Sequence, residues 1–316
     1  MAYRLDPHRP PAEEIARVAG EELEKAAAEL RDPDADQGEA IHDVRKRLKK
    51  LRGLLRFARE SDARLYRREN ARLRDAARSL SAVRDRTALI ESLDALQEHV
   101  GASVAPASFA AIRAALEHKR QVVVASEGDV GARVSQVIEV LDGALEDWRE
   151  RRAVGASQGR SSLLHGLEEN YRRARTALKT ATASGDAEDF HDLRKRAKYH
   201  AMHLKLLADI WPDVLTPARK AADGVADALG SDHDYAVLLG EMEAEPQLFG
   251  AQTHRARIAA LASTRQRELR VEALAACARL FAEKPKAFRR RIAAYLDRAA
   301  AEGAARDAAR ETKLVA

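Results

Sequence analysis

His42, Arg45, Lys49, Arg52 and Arg56 recur at three- and four-residue intervals. On a helix, at about 100° per residue, all five fall within an arc of about 80°. Their chemistry is that of positively charged hydrogen-bond donors: guanidinium forks, an ammonium group and an imidazole, the set that meets the oxygens of an anion. From Ile41 to Arg59 there are eight basic side chains and one acid, Asp43. A solvated helix offsets such repulsion with acids at i±4, worth about 0.3 kcal/mol per pair, and this segment lacks them. The stripe therefore points to a bound polyanion. Acids on another helix are the competing account, since residues 13 to 39 hold ten of them.

The same types return downstream. His191, Arg194, Lys198 and Lys205 border an apolar arc of Leu193, Ala197 and Leu204, as the first stripe borders Val44, Leu48, Leu51 and Leu55. Residues 41 to 56 and 190 to 205 match at seven of sixteen positions at an offset of 149, where chance gives about one or two. Without a gap, the offset also carries Leu80 onto Leu229, Asp85 onto Asp234 and Leu89 onto Leu238. The chain thus reads as internally duplicated, and two similar halves related by a pseudo-two-fold axis are the expected architecture. Arg172, Arg175 and Lys179 share a further helical face. If the halves face each other, these stripes converge on a basic central channel.

Helices must position these groups. Of 316 residues 46% are hydrophobic but only 4% aromatic, so the core is built of Ala, Leu and Val, which favours close helix contacts over sheet packing. Apolar residues recur at helical spacing throughout, and the chain reads as all-α. Helices are expected at 13–30, 39–60, 63–81, 84–100, 107–127, 132–152, 161–181, 187–209, 214–229, 232–243, 252–282 and 286–302. The expected organisation is a flexible N-terminal arm (1–11) with Arg4 and Arg9 solvated, a first half (12–152), a linker (153–160), a second half (161–302) and a C-terminal tail (303–316). One cysteine, Cys277, excludes a disulfide framework and a Cys-based zinc cluster. No stretch approaches about 18 uninterrupted apolar residues and the opening lacks a signal-peptide core, so a cytoplasmic location without membrane contact is expected.

Three other chemistries compete. The dipeptides His42-Asp43, His191-Asp192 and His233-Asp234 raise a metal-dependent helical His-Asp phosphohydrolase. Adjacent helical residues point about 100° apart, however, and a hard divalent ion wants converging carboxylates, not guanidinium neighbours. A nucleic-acid-binding helical protein is the second alternative, because a basic channel attracts any phosphodiester backbone. Tyr171 and Tyr199 are the only aromatics near the stripes, so stacking platforms for bases are scarce. A phosphotransfer bundle with His42 or His191 as acceptor needs one exposed histidine and a docking partner. No cofactor, metal ligand or catalytic residue is assigned. Each histidine taken singly could simply pack as a neutral imidazole; recurrence at matching positions favours a shared role in the site.

The pattern His-x-x-Arg-x-x-x-Lys-x-x-Arg at His42, Arg45, Lys49 and Arg52, partly repeated at His191, Arg194 and Lys198, resembles the CHAD family, the conserved-histidine α-helical domain. Leu80 to Asp85 and Leu229-Gly230 to Asp234 look like that family's Leu-Gly-x-x-(Arg/His)-Asp turn, and AEKPKAF at 282–288 is similar to its Lys-Pro-x-x-Phe signature. The resemblance runs from residue 12 to 300. It implies two four-helix-bundle-like halves around a basic central cavity that binds inorganic polyphosphate. Polyphosphate granules or polyphosphate-metabolising enzymes are the partners it suggests. Carried over by position, His42, Arg45, Lys49, Arg52, His191, Arg194 and Lys198 line that cavity. The second copy has Ala201 where the family usually has Arg, and Met202 where Tyr is common, so an asymmetric cavity is expected; His200 and His203 point away from the stripe by helical angle. Asp85 and Asp234 are expected just inside helix starts, where a carboxylate holds the turn, with Arg84 and His233 within reach of the cavity.

Overall fold

The computed structural model describes residues 3–59, 62–101, 106–126, 130–154 and 159–315. Among the described residues there are eleven α-helices and no strand. They are α1 (Pro11–Arg31), α2 (Gln37–Leu54), α3 (Ala63–Ser79), α4 (Ala82–Val100), α5 (Pro106–Ser126), α6 (Val130–Val154), α7 (Gly159–Ser184), α8 (Ala187–Leu206), α9 (Pro212–Ala244), α10 (Gln252–Leu280) and α11 (Pro285–Val315). Local chemistry sets several of the starts. Asp36 accepts the Glu39 amide at 2.8 Å to open α2, and Asp62 accepts the Leu65 amide at 2.8 Å to open α3. Proline stands in the first turn of α1 and of α9, where its missing N–H costs nothing.

The helices share two apolar clusters. The larger joins α1, α2, α3 and α6 with α7, α8, α11 and parts of α9 and α10; Val44, Leu48 and Leu51 of α2 and Leu193 and Ala197 of α8 lie in it, at most 1% exposed. The smaller joins Leu89, Leu93 and Leu96 of α4 and Phe109 and Ile112 of α5 with Tyr235 and Leu238 of α9 and Ile258 of α10. Helices from before and after residues 155–158 contribute to both clusters, so the two sequence segments interlock instead of packing as separate bodies.

Several boundaries differ from expectation. The helices expected at 214–229 and 232–243 form the single helix α9, with Gly230 and Ser231 inside it. Continuity follows from burial on either side of them, since Leu229 packs in the larger cluster and Tyr235, Leu238 and Met242 in the smaller. The tail expected at 303–316 is helical to residue 315 as the end of α11. Of the expected linker, 155–158 lie outside the described residues, while 153–154 close α6 and 159–160 open α7. The arm is docked, not loose. Tyr3 and Leu5 are buried in the larger cluster, Tyr3 Oη donates to Lys50 O at 2.9 Å, and the Leu5 amide donates to Leu206 O at 2.8 Å. Arg4 pairs with Asp209 and Arg9 lies 3.6 Å from Glu14. Its prolines prevent a helix but not an extended strap whose apolar side chains find a groove.

The α7 packing carries a direct test. A Cβ added at Gly166 would lie 2.8 Å from Phe57 Cα and 3.0 Å from Arg56 O, both backbone atoms, whereas one added at the exposed Gly224 of α9 meets nothing within 4 Å. Gly166→Ala is expected to lower unfolding stability by about 2 kcal/mol, and Gly224→Ala to raise it by about 0.5–1 kcal/mol through helix propensity. Urea denaturation of both variants measures the opposite signs.

Candidate functional site

Burial of Val44, Leu48 and Leu51 fixes the rotation of α2, and burial of Phe190, Leu193 and Ala197 fixes that of α8. The residues between them then fall on two different faces of α2. Arg47 and Lys50 turn toward α1, where Arg47 meets Glu22 at 3.1 Å and also Glu29, and Lys50 meets Glu22 at 3.2 Å. The acidic run of α1 thus neutralises one side of the basic helix. The other side opens on a cavity of about 890 Å³ between α2, α4, α8 and the middle of α9. His42, Arg45, Lys46 and Lys49 come from α2, Arg84, Asp85 and Arg86 from α4, Arg194 from α8, and His233, Asp234 and Glu241 from α9.

Positive charge is poorly compensated at the centre of this cavity. Arg45 is held, donating to Ser81 O at 3.2 Å and to Asp85 at 2.9 Å, which pins the break between α3 and α4 to α2. Lys49 and Arg194 have no ion pair or hydrogen bond among the described residues. The Lys49 side chain reaches solvent, yet it is walled closely enough that desolvation, followed by Arg45 and Arg194, pushes its ammonium down to about 8. Arg194 lies against Gly230 of α9, where an added Cβ would sit 3.1 Å from Nη2. The glycine that looked like a turn signal is where helix backbone and guanidinium approach.

The histidines form matched contacts. Arg84 Nε donates to His42 Nδ1 at 3.3 Å, so the neutral imidazole carries its proton on Nε2, a donor available to an anion. Burial, then Lys46 and Arg84, lower the His42 pKa. At the positions 149 residues on, His191 and His233 lie with ring centroids 4.1 Å apart. Burial, then His233, push His191 down to about 4, and its Nδ1 is buried without a hydrogen-bond partner. Burial raises the Asp234 carboxyl, which accepts from Ser92 Oγ at 3.4 Å. Asp234 stands mid-helix and not at a helix start, because α9 does not break; Asp85, by contrast, does sit in the first turn of α4.

Eight expected site residues do not line this cavity. Arg52 donates to Asn70 Oδ1 at 3.0 Å, and the Arg56 guanidinium lies 3.5 Å from the Tyr199 ring centroid. Lys198 stands between Asp227 at 3.6 Å and Asp223 at 3.9 Å, although it still contributes to lowering Lys49. Lys205, lowered by burial and then by Lys50, lies further along α8. The reason is length. A stripe from residue 42 to 56 extends about 21 Å along the axis at about 1.5 Å per residue, and the cavity reaches α2 only from His42 to Lys49. Arg172, Arg175 and Lys179 line a separate open groove of about 910 Å³ beside Pro285. There Arg172 pairs with Glu169 at 2.8 Å, and Arg175 donates to Ala282 O at 3.1 Å and Glu283 O at 2.7 Å, closing the end of α10. The expected single channel for all these stripes is therefore corrected to one cavity and one distinct groove. His191 stands just behind the lining, against His233. His200 and His203 do point away, into the core: His200 packs on Tyr171 and His203 Nε2 lies 3.0 Å from Gly53 O. Lys46 and Arg86 were missed; Lys46 could have been found one helical turn after His42.

The family model described as CHAD domain matches residues 14–243. An uncharacterized protein of Mycobacterium tuberculosis (strain CDC 1551 / Oshkosh) is 29% identical over 204 residues, covering 60% of this chain and 38% of its own. The matched region is thus less than half of that relative's length.

Burial of neutral histidines makes stability depend on pH. Burial holds His200 down to about 3 and His203 to about 4, as it does His191. Unfolded imidazoles take up protons near about pH 6.5, so this stability is fully present above that value and is lost as pH falls toward the folded values. Chemical denaturation at stepped pH should show stability falling between about pH 6.5 and 4. His200→Phe, which keeps the ring among Tyr171, Phe281 and Phe288, should flatten that slope; an unchanged slope would exclude His200 as a source.

Proposed function

The chain belongs to the CHAD domain family, and from that premise we propose that it binds inorganic polyphosphate, without catalysis, in the cavity between α2, α4, α8 and α9. The observation that carries the reading is the meeting of Lys49 and Arg194, one from each of two similar segments, with no acid bonded to either among the described residues. Like charges at close range, opposed only through space by Asp85 and Asp234, cost stability, so their retention fits a ligand that supplies further negative charge. Around them Arg45 and the Nε2 proton of His42 are placed to donate to phosphate oxygens.

Duplication of the two segments is part of the proposal. At the offset of 149, Arg45 corresponds to Arg194, Arg84 to His233 and Asp85 to Asp234, and all six line the cavity. The contact between His42 and Arg84 recurs as that between His191 and His233. A pseudo-two-fold relation between the segments accounts for both facts.

Among the described residues no group of three or more His, Cys, Asp or Glu side chains is placed to hold a metal ion, and no helix is long and apolar enough to cross a membrane. We place its site of action in the cytoplasm, free or on polyphosphate granules.

Calorimetry tests the reading. Affinity should rise from pyrophosphate through tripolyphosphate to long chains, and fall log-linearly with salt as counterions leave the chain. Lys49→Met with Arg194→Gln should weaken long-chain binding at least about tenfold, with the melting temperature equal or raised because a repulsion is removed. Arg45 is left intact, since it anchors Ser81 and Asp85. Equal affinity for pyrophosphate and long chains, or phosphate release from polyphosphate in the presence of magnesium, would overturn the proposal.

A further inference from the structure

Lys49 combines access, cationic neighbours and the absence of an ion pair among the described residues. Its side chain is open to solvent within a walled cavity. Arg45 and Arg194 flank it, and it forms no ion pair among the described residues. The other lysine of the lining, Lys46, is tied to Asp43 at 3.0 Å. An amine crowded by cations gives up its proton more easily and becomes a nucleophile near neutral pH, while the same cations gather anions beside it. A cavity of this kind holds an amine and an anion site within one volume of about 890 Å³.

We propose that Lys49 Nζ is an acylation site and that acyl phosphates are the donors the cavity delivers to it. The inference rests on the reading of the cavity as an anion site. Arg194 and Arg45 receive the phosphoryl oxygens of the donor, which turns its carbonyl carbon toward Lys49. The unprotonated Nζ attacks that carbon; the N–C bond forms as the C–O bond to phosphate breaks. Phosphate leaves with that electron pair between the two guanidinium groups, and the proton shed by nitrogen passes to the phosphate or to water. No electron is transferred and no further reactant is needed. The product is an amide without positive charge at the centre of the site, so acylation closes the cavity to phosphate chains. A chain already bound blocks the reaction in turn.

The unmodified full-length protein is treated with acetyl phosphate, and separately with uncharged acetic anhydride, and acetylation of each lysine is followed by mass spectrometry. Lys220 and Lys286, both exposed, are the references. With acetyl phosphate, Lys49 should react at least about tenfold faster than either reference, and the preference should be larger than with anhydride. Arg194→Gln should lower the ratio of the two preferences, which cancels any change in the amine itself. Tripolyphosphate should protect Lys49 and leave the references unprotected. A Lys49 rate no higher than the references, or an equal preference for both reagents, overturns the inference. If tripolyphosphate binds by calorimetry while Lys49 stays unlabelled, the acylation site fails and polyphosphate binding stands. If Lys49 is labelled selectively but tripolyphosphate neither binds nor protects, the polyphosphate reading fails and the acylation site stands.

Discussion

Lys49 stands among Arg45, Arg194 and Lys198, and holding these charges together is a cost that the rest of the fold offsets. Unit charges about 6 Å apart repel by about 3 kcal/mol at an effective dielectric near 20. Opposing this is the burial of α2 and α8 in the larger apolar cluster. Val44, Leu48, Leu51, Leu193, Ala197 and Leu204 are all fully or nearly fully buried there, and each large aliphatic side chain contributes about 1.5–3 kcal/mol. On the far side of α2, Glu22 and Glu29 hold Arg47 and Lys50. One face of the helix is therefore neutralised within the fold, which leaves the other face free to keep its charge for a ligand.

The second element of this balance is α9. Like α10, it enters both apolar clusters, through Leu215, Val225 and Leu229 in one and Tyr235, Leu238 and Met242 in the other. The cavity lies where it passes from the first cluster to the second, at Ser231, His233 and Asp234. Gly230 lets the Arg194 guanidinium lie against that passage. Two packed cores thus hold the wall of the cavity from both ends and position the polar middle of α9. Asp232, on the opposite side, is tied by Arg270 at 2.6 Å, which fixes the helix rotation.

Helix type and most helix limits were legible because apolar spacing and caps are local properties. Leu48 or Leu193 announces its buried face within a single turn. The stripes were equally legible, but their destinations were not. Arg56 shares a helical angle with His42, yet whether it meets Tyr199 or a cavity depends on which helix crosses at that height. The same holds for Lys198, whose acids Asp223 and Asp227 come from α9. Gly230 and Ser231 read as a turn because composition cannot reveal that both flanking segments are buried in different cores. Tyr3 and Leu5 read as part of a loose arm because two apolar residues among prolines carry no periodicity, although each finds a pocket in the larger cluster.

The two similar segments have diverged in charge more than in position. Lys49 is open and Lys198 is held between two acids; Arg84 is tied to Glu91 at 2.9 Å, while its counterpart His233 lies against His191 as an imidazole whose pKa is lowered by burial. Among the lining residues the cations therefore come from α2 and α4, and α8 contributes Arg194. Asp234 and Glu241 limit their charge on the side of α9. In the proposed reading a phosphate chain is gripped along one wall, with imidazoles on the other that gain protons as phosphate approaches. Such a one-sided grip leaves part of the chain's charge to water, which keeps a linear polyanion exchangeable where a site lined by cations on every wall would bury it.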